Sequence, residues 1–237
     1  MDKADSTAAE RCSAPGLALP GGRRIYFVRH GVTEWNKLYR YQGATDIPLC
    51  EEGMLQAKRA AVRMSRLKNI DKIISSPLVR SHTTARCIAD AVGIKNVELW
   101  DDLTEINFGS WEGLTVDEII RGYGEDFNLW KQNPLYVTAT KGEDSDRIFD
   151  RALNAARRIT SEEKGSLIVV GHGAFFRALF SAMLSGAKDN IFWKMRLDNC
   201  SITAFDIDAK NNVSAVFYND TLHIKSAYEE VLSLPLL

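Results

Sequence analysis

Cysteine is scarce and dispersed: the 237 residues hold four, Cys12, Cys50, Cys87 and Cys200, with no Cys-x-x-Cys pair. That spacing excludes a zinc ribbon and a dithiol redox motif, and reduced, independent thiols are expected. Long apolar runs are also missing, since stretches such as Leu167 to Val170 fall far short of the roughly 18 residues a membrane-spanning helix needs. Charge of one sign is absent in bulk: 30 Lys and Arg nearly cancel 31 Asp and Glu, for a net charge of −1. No global field gathers nucleic acid or an anionic membrane, and neither is expected as a partner. There is no His-Glu-x-x-His and no Asp-rich loop, so no metal or other cofactor is expected. The first 22 residues lack the apolar core of a secretory signal and read as a disordered leader of a cytoplasmic protein, or as a start-site or cloning remnant.

What is present is an ordinary globular composition, 45% hydrophobic and 26% charged, enough for one sizeable domain over residues 23–237. Arg24 to Arg29 is a short β-branched and aromatic run and predicts the first buried strand. From Gly53 to Lys68, Met54, Ala57, Ala61, Met64 and Leu67 recur at helical spacing. Asp71 to Ser75 predicts a strand, Pro77 opens a helix to about Val92, and Asn96 to Trp100 predicts another strand. Asp144 or Ser145 caps a helix through Ile159 with Ile148, Phe149, Leu153 and Ala156 as its buried stripe. Ser166 to Val170 is a strand and Phe175 to Leu184 a buried helix, and Ser201 to Ile207 with Val213 to Tyr218 form a hairpin around Asp208 to Asn212. The alternation implies a three-layer α/β/α sandwich around a mostly parallel sheet. Arg121 to Gly142, with Tyr123, Phe127, Trp130 and Tyr136 in no single period, reads as a small helical cap insertion.

Both strong strands end in a glycine-flanked histidine, Val28-Arg29-His30-Gly31 and Val170-Gly171-His172-Gly173. Ligands bind at the carboxyl ends of strands in open α/β sheets, so the two imidazoles are placed to converge on one crevice. A single histidine is more often a satisfied core side chain; two at equivalent strand ends favour function. Neutral imidazole is a nucleophile, and phosphoryl transfer asks mainly for positioning and for cations around the equatorial oxygens. Arg29 and Arg80 supply such cations and would hold His30 deprotonated. Thr33 and Asn36 follow within a turn, as oxygen ligands or as a helix cap. A leaving alkoxide needs a proton, for which Glu105 is the candidate donor and Glu112 its local competitor.

The segments Arg29-His-Gly-Val-Thr-Glu-Trp-Asn36, Gln42-Gly-Ala-Thr-Asp-Ile-Pro-Leu49, Ser76 to Ala85, Glu105 before Phe-Gly-Ser-Trp-Glu-Gly, and Gly171-His-Gly173 together resemble the histidine phosphatase superfamily, in its phosphoglycerate-mutase-like branch. The resemblance spans about residues 24 to 220. It implies that His30 becomes phosphohistidine and that Glu105 is first the general acid and then the base activating water. Arg29, Arg80 and His172 become the phosphate pocket, supported by Thr33 and Asn36, with Gln42, Gly43 and Gly173 on the substrate side. His172, if protonated, would donate to the in-flight phosphoryl group. His82 and His223 match no essential position and are expected to be structural. Where relatives place Ser or Thr before Glu-Glu-Gly, this chain has Cys50, a poor helix cap.

After Glu105 the sequence is similar to broad-specificity phosphatases and the α-ribazole phosphatase group, which implies a metal-independent phosphomonoesterase acting on small phosphate esters. A cofactor-dependent phosphoglycerate mutase is the alternative, and a non-catalytic scaffold for phosphorylated ligands a further one. Phe127 and Trp130 either favour a leaving group with an apolar portion or merely pack the cap. A homodimer is the base-rate expectation for such an enzyme.

Overall fold

The computed structural model describes residues 22–188 and 191–224; of the expected leader, 1–22, all but Gly22 lies outside them. Six strands, β1 (Arg23–Arg29), β2 (Ile70–Ser75), β3 (Val97–Leu99), β4 (Ser166–Gly171), β5 (Ile202–Ile207) and β6 (Val213–Asp220), form one sheet in the order β3-β2-β4-β1-β5-β6. The run from β3 to β1 is parallel, and β5 and β6 close the other edge antiparallel, as the short turn at 208–212 requires.

Alternation along the strands sends side chains to two cores. Val28, Ile73, Ile168 and Val170 meet α2 (Glu51–Met64) and α3 (Val79–Val92), whereas Phe27, Ile74, Leu167 and Val169 meet α5 (Ser145–Arg157) and α6 (Gly173–Leu184). Helices therefore cover both faces, giving the expected three layers. On the second face Phe27 packs edge-on against Phe176 and Phe180, with ring centroids 5.6 and 4.9 Å away.

Two expectations change. Ile148, Phe149 and Ala156 are buried, but Leu153 is 37% exposed, and the stripe that α5 buries is completed instead by Ala152 and Ala155, because the helix packs closely on α6 with small residues. Only the first part of the cap interval, Arg121 to Gln132, is helical, residues 133–142 being turns and irregular backbone, and it belongs to α4 (Val116–Gln132), which starts before Arg121 on a capping box between Thr115 and Glu118. Its backbone breaks at Tyr123 (φ −142°, ψ 31°), which shifts the helical phase and explains why no single period is visible in the sequence. Asp144 is the cap of α5, its side chain accepting from the backbone N–H groups of Asp146 and Arg147. No helix among the described residues is long and apolar enough to cross a membrane.

Candidate active site

β1 and β4 are adjacent, parallel and in register, Arg29 facing Gly171 across the ladder. The next residue of each strand is a histidine, so His30 and His172 leave the sheet side by side, ring centroids 5.2 Å apart. Both are fully or almost fully buried. Burial, reinforced by Arg80 and Arg29, holds His30 well below the usual histidine range, so its ring is neutral. Nδ1 of His30 lies 2.7 Å from the carbonyl oxygen of Gly31, which can only accept. That contact assigns the hydrogen to Nδ1 and leaves the lone pair on Nε2.

His172 is held low for the same reasons, burial first and Arg80 next. The condition set for His172, that it be protonated to donate, is thus not met, and a neutral ring must do its work through one N–H. Its Nε2 lies 2.8 Å from Ser76 Oγ, and the Ser76 hydroxyl accepts from the Leu78 N–H and can donate to that nitrogen. The resulting tautomer carries its hydrogen on Nδ1, a buried atom with no partner among the described residues.

A cavity of about 190 Å³ opens beside His30. Arg29, Asn36, Gln42, Gly43, Arg80, Glu105 and Gly173, all singled out in the sequence, line it. Thr33 and His172 do not line it. Thr33 is fully buried behind the wall, where it caps the short helix α1 (Glu34–Lys37) in a reciprocal box with Asn36 and donates to Gln42 Oε1 at 2.9 Å. Asn36 thus serves as both cap partner and lining residue, and Thr33 as a support for Asn36 and Gln42 rather than a ligand.

Arg80 Nη1 and Nη2 donate to the carbonyls of Thr45 (2.8 Å) and Gly43 (2.7 Å), fixing the loop after Gln42. Gly43 has φ +57°, and a Cβ there would sit 2.0 Å from the Glu112 carboxylate. Glu112 accepts from the backbone N–H groups of Ala44, Thr45 and Phe108, so it staples this loop to the next and is not the free acid. Arg29 Nη1 donates to Leu197 O at 2.6 Å; burial pushes its guanidinium down to about 10, still charged at neutral pH. Gly173 lets Arg29 lie against the start of α6, since a Cβ would come within 3.1 Å of Arg29 Nε.

Glu105 reaches that same helix start. Its Oε1 accepts from the N–H groups of Ile106 (3.0 Å) and Phe175 (2.7 Å), and its Oε2 from that of Ala174 (3.1 Å). A carboxylate offers about four lone-pair positions, so one remains, on Oε2. Arg151 holds the preceding turn by donating to the carbonyls of Asp102 and Thr104 while paired with Glu143.

The rest of the wall was not predicted: Arg40, Tyr41, Phe108, Ala174, Arg177 and Trp193 also face the cavity. Trp130 does so too, while packing beside Phe127 in the core, so of the two cap aromatics one packs and the other does both. Arg177 had a legible signal, a lone charge on the otherwise apolar α6. Arg40 had none beyond its position after the first loop. Among the described residues no cluster of three or more His, Cys, Asp or Glu could hold a metal ion. His223 is buried with Nε2 3.0 Å from Cys200 O, a structural placement.

The family model of the histidine phosphatase superfamily (branch 1) matches residues 25–221. Phosphoserine phosphatase 1 of Hydrogenobacter thermophilus is 35% identical over 210 residues, covering 87% of this chain and 97% of that one. Phosphoglycerate mutase-like protein 4 of Arabidopsis thaliana is 30% identical over 203 residues, 85% and 86% of the two chains. Among solved structures, YhfR of Bacillus stearothermophilus superposes with a TM-score of 0.77 at 28% identity, covering 86% of this chain and all of that one.

Proposed function

The chain belongs to the histidine phosphatase superfamily, branch 1, and from that premise we propose that it is a phosphomonoesterase that hydrolyses small phosphate esters through a phosphohistidine at His30. The observation that carries this reading is the Nδ1 contact of His30 with Gly31 O, which leaves an unprotonated Nε2 in a pocket ringed by arginines.

In the first step Nε2 of His30 bonds to phosphorus as the ester P–O bond breaks, and Glu105 gives its proton to the departing alkoxide. Arg29 and Arg80 take the equatorial oxygens, whose charge spreads in a loose transition state, and the Nδ1–H of His172, behind the cavity wall and beside the His30 ring, completes the set once phosphorus is drawn up to His30 Nε2. All three present buried donor atoms, Arg29 Nε, Arg80 Nε and His172 Nδ1, that have no partner among the described residues, and an anion's oxygens would satisfy them. In the second step Glu105, now a carboxylate, takes a proton from water, which attacks phosphorus and releases His30 with its lone pair. Asn36, Gln42, Gly43 and Gly173 form the substrate side of the same cavity. Its volume is below the roughly 300–1,000 Å³ common for drug-sized ligands, which suits a compact ester.

Turnover of p-nitrophenyl phosphate by the wild-type protein, lost in His30→Ala, is the expected result. Absent wild-type turnover, with phosphoglycerate interconverted in the presence of its bisphosphate, would transfer the assignment to a mutase.

A further inference from the structure

Asn36 faces the cavity with a carboxamide whose two ends are chemically opposite, so the end that meets a phosphate decides whether the residue attracts it or repels it. A residue outside the cavity settles which end that is. Asn199 stands in the tight turn that leads into β5. There the Ser201 N–H donates to Asp198 O at 3.0 Å, and Cys200 takes a left-handed φ of +55°, uncommon for a residue other than glycine. Three anchors hold the turn in that shape. The Cys200 N–H donates to the carbonyls of Arg29 (3.0 Å) and His30 (3.1 Å), Asn219 exchanges two hydrogen bonds with Asp198, and the His223 ring nitrogen lies 3.0 Å from Cys200 O. A strained residue persists where its surroundings fix it from several sides in this way.

The Asn199 side chain is thereby aimed at the turn that follows the nucleophile. Its Nδ2 lies 3.1 Å from His30 O, 3.4 Å from Gly31 O and 3.1 Å from Asn36 Oδ1. Backbone carbonyls only accept, so the group facing them is the Asn199 NH2 and not its oxygen. The Asn36 atom that it also meets must then be an acceptor, Oδ1. The Thr33 backbone N–H, which can only donate, points at the same Asn36 atom from 3.1 Å and gives the same assignment. Both lone pairs of that oxygen are used inside the wall, and Nδ2 is the end of the Asn36 amide left for the cavity.

Resting on the phosphatase reading above, we propose that Asn199 is a positioning residue for phosphoryl transfer: it locks the Asn36 amide with its N–H groups toward the phosphoryl oxygens. Asn199 does not line the catalytic cavity and acts through Asn36. An amide free to turn would offer its oxygen to the anion part of the time, and the lock removes that repulsive orientation before substrate arrives. The nucleophile turn has further supports of its own, since the Gly31 N–H donates to Thr84 Oγ1 (3.1 Å) and the Val32 N–H to Gln56 Oε1 (3.0 Å).

The test uses two substitutions at one position. Asn199→Ala frees the Asn36 amide. Asn199→Asp, nearly identical in shape, replaces the donor by a carboxylate that draws Asn36 Nδ2 into the wall and turns Oδ1 to the cavity. The kcat/KM for p-nitrophenyl phosphate should fall about tenfold in the first and about a hundredfold in the second, the range set by a hydrogen bond to a charged group. The inhibition constant of inorganic phosphate should rise in the same order. In an Asn36→Ala background the loss caused by either change should shrink to within about threefold, a coupling that a merely structural role would not produce. Losses of undiminished size in that background, or an unchanged kcat/KM in Asn199→Asp, would overturn the proposal. Should neither variant fold, NMR of the selectively labelled wild-type protein decides. On titration with inorganic phosphate the Asn36 side-chain N–H signals should shift downfield while those of Asn199 exchange slowly with water; unmoved Asn36 signals or fast exchange at Asn199 would overturn it. Without any wild-type turnover, the same order in phosphate affinity by calorimetry would leave the role of Asn199 standing and remove the phosphatase reading; turnover with no difference among the variants would do the reverse.

Discussion

The Glu105 carboxylate lies 2.7 Å from the backbone nitrogen of Phe175, so the candidate acid is also the cap of the helix that carries Arg177. His172, the residue at the cap position itself, makes no side-chain cap bond to that helix. Chemistry and local stability are joined in one side chain, and the first prediction separates them.

Glu105→Gln keeps one acceptor oxygen and replaces the other with a donor that cannot serve the Ala174 and Phe175 N–H groups. A loss of about 0.5–2 kcal/mol in urea denaturation is expected, the usual range for a removed helix cap. The kcat/KM for alkyl phosphates should fall by about 10²–10⁴, and that for p-nitrophenyl phosphate much less, because nitrophenolate leaves without a proton. A burst of nitrophenol followed by slow turnover should appear, since water attack still lacks its base. Equal losses on both esters would remove Glu105 from the acid role.

Quenching the wild-type reaction with labelled substrate should trap a phosphoprotein that is acid-labile and alkali-stable, with the label on Nε2 of His30. Excess EDTA should leave turnover unchanged, the phosphoryl oxygens being held by arginine and imidazole donors. Label retained in His30→Ala, or activity abolished by chelation and restored by a divalent metal, would contradict this mechanism.

His30 and His172 are both held below their ordinary range by burial and by Arg80. In the unfolded chain each binds a proton below about pH 6.5, while the native state resists doing so. The unfolded state therefore binds more protons there, and stability is full above that pH and declines as pH falls, by up to about 1.4 kcal/mol per pH unit for each group. Urea midpoints from pH 8 to 5 should show this slope, and His30→Ala should reduce it by one proton's share. A flat profile would show that the native rings titrate normally.

Cys50 occupies the cap of α2 with extended backbone (φ −80°, ψ 176°) and makes no side-chain hydrogen bond to the helix. Cys50→Ser supplies an oxygen acceptor at that place and should stabilise the protein by a few tenths to about 1 kcal/mol, read as a higher melting temperature. An unchanged or lower value would show that the serine rotamer does not reach the free N–H groups.

Much of this arrangement is legible in the sequence because it is local. The strands that present His30 and His172 are apolar runs with a glycine after each, and Asp144 sits one residue before a helical period, so backbone preference and side-chain chemistry agree. What stayed hidden depends on distant partners. On its sequence Thr33 is a ligand or a helix cap; the fold selects the cap with Asn36 and adds the bond of its hydroxyl to Gln42. Glu112 and Glu105 are equally acidic in the sequence; backbone N–H groups from the loop at 44–45 take up one, while α6 leaves a lone pair on the other. The break at Tyr123 erased the period of α4, and the small residues of α5 let a leucine point outward. Arg177 stood in plain view on an apolar helix, but that it shares a cavity with Glu105, 72 residues earlier in the chain, only the fold reveals.

The pairing of Arg29 with Gly171 has a mechanical consequence. Neighbouring strands lie about 4.8 Å apart, and the rings of His30 and His172 are separated by 5.2 Å, close to the pitch of the sheet itself. The spacing of nucleophile and partner is set by the central ladder, among the last amides to open, and the loops have little say in it. Heat or denaturant should therefore extinguish catalysis only along with the whole domain, whereas the Trp193 wall is free to be redrawn without detuning the chemistry beside it.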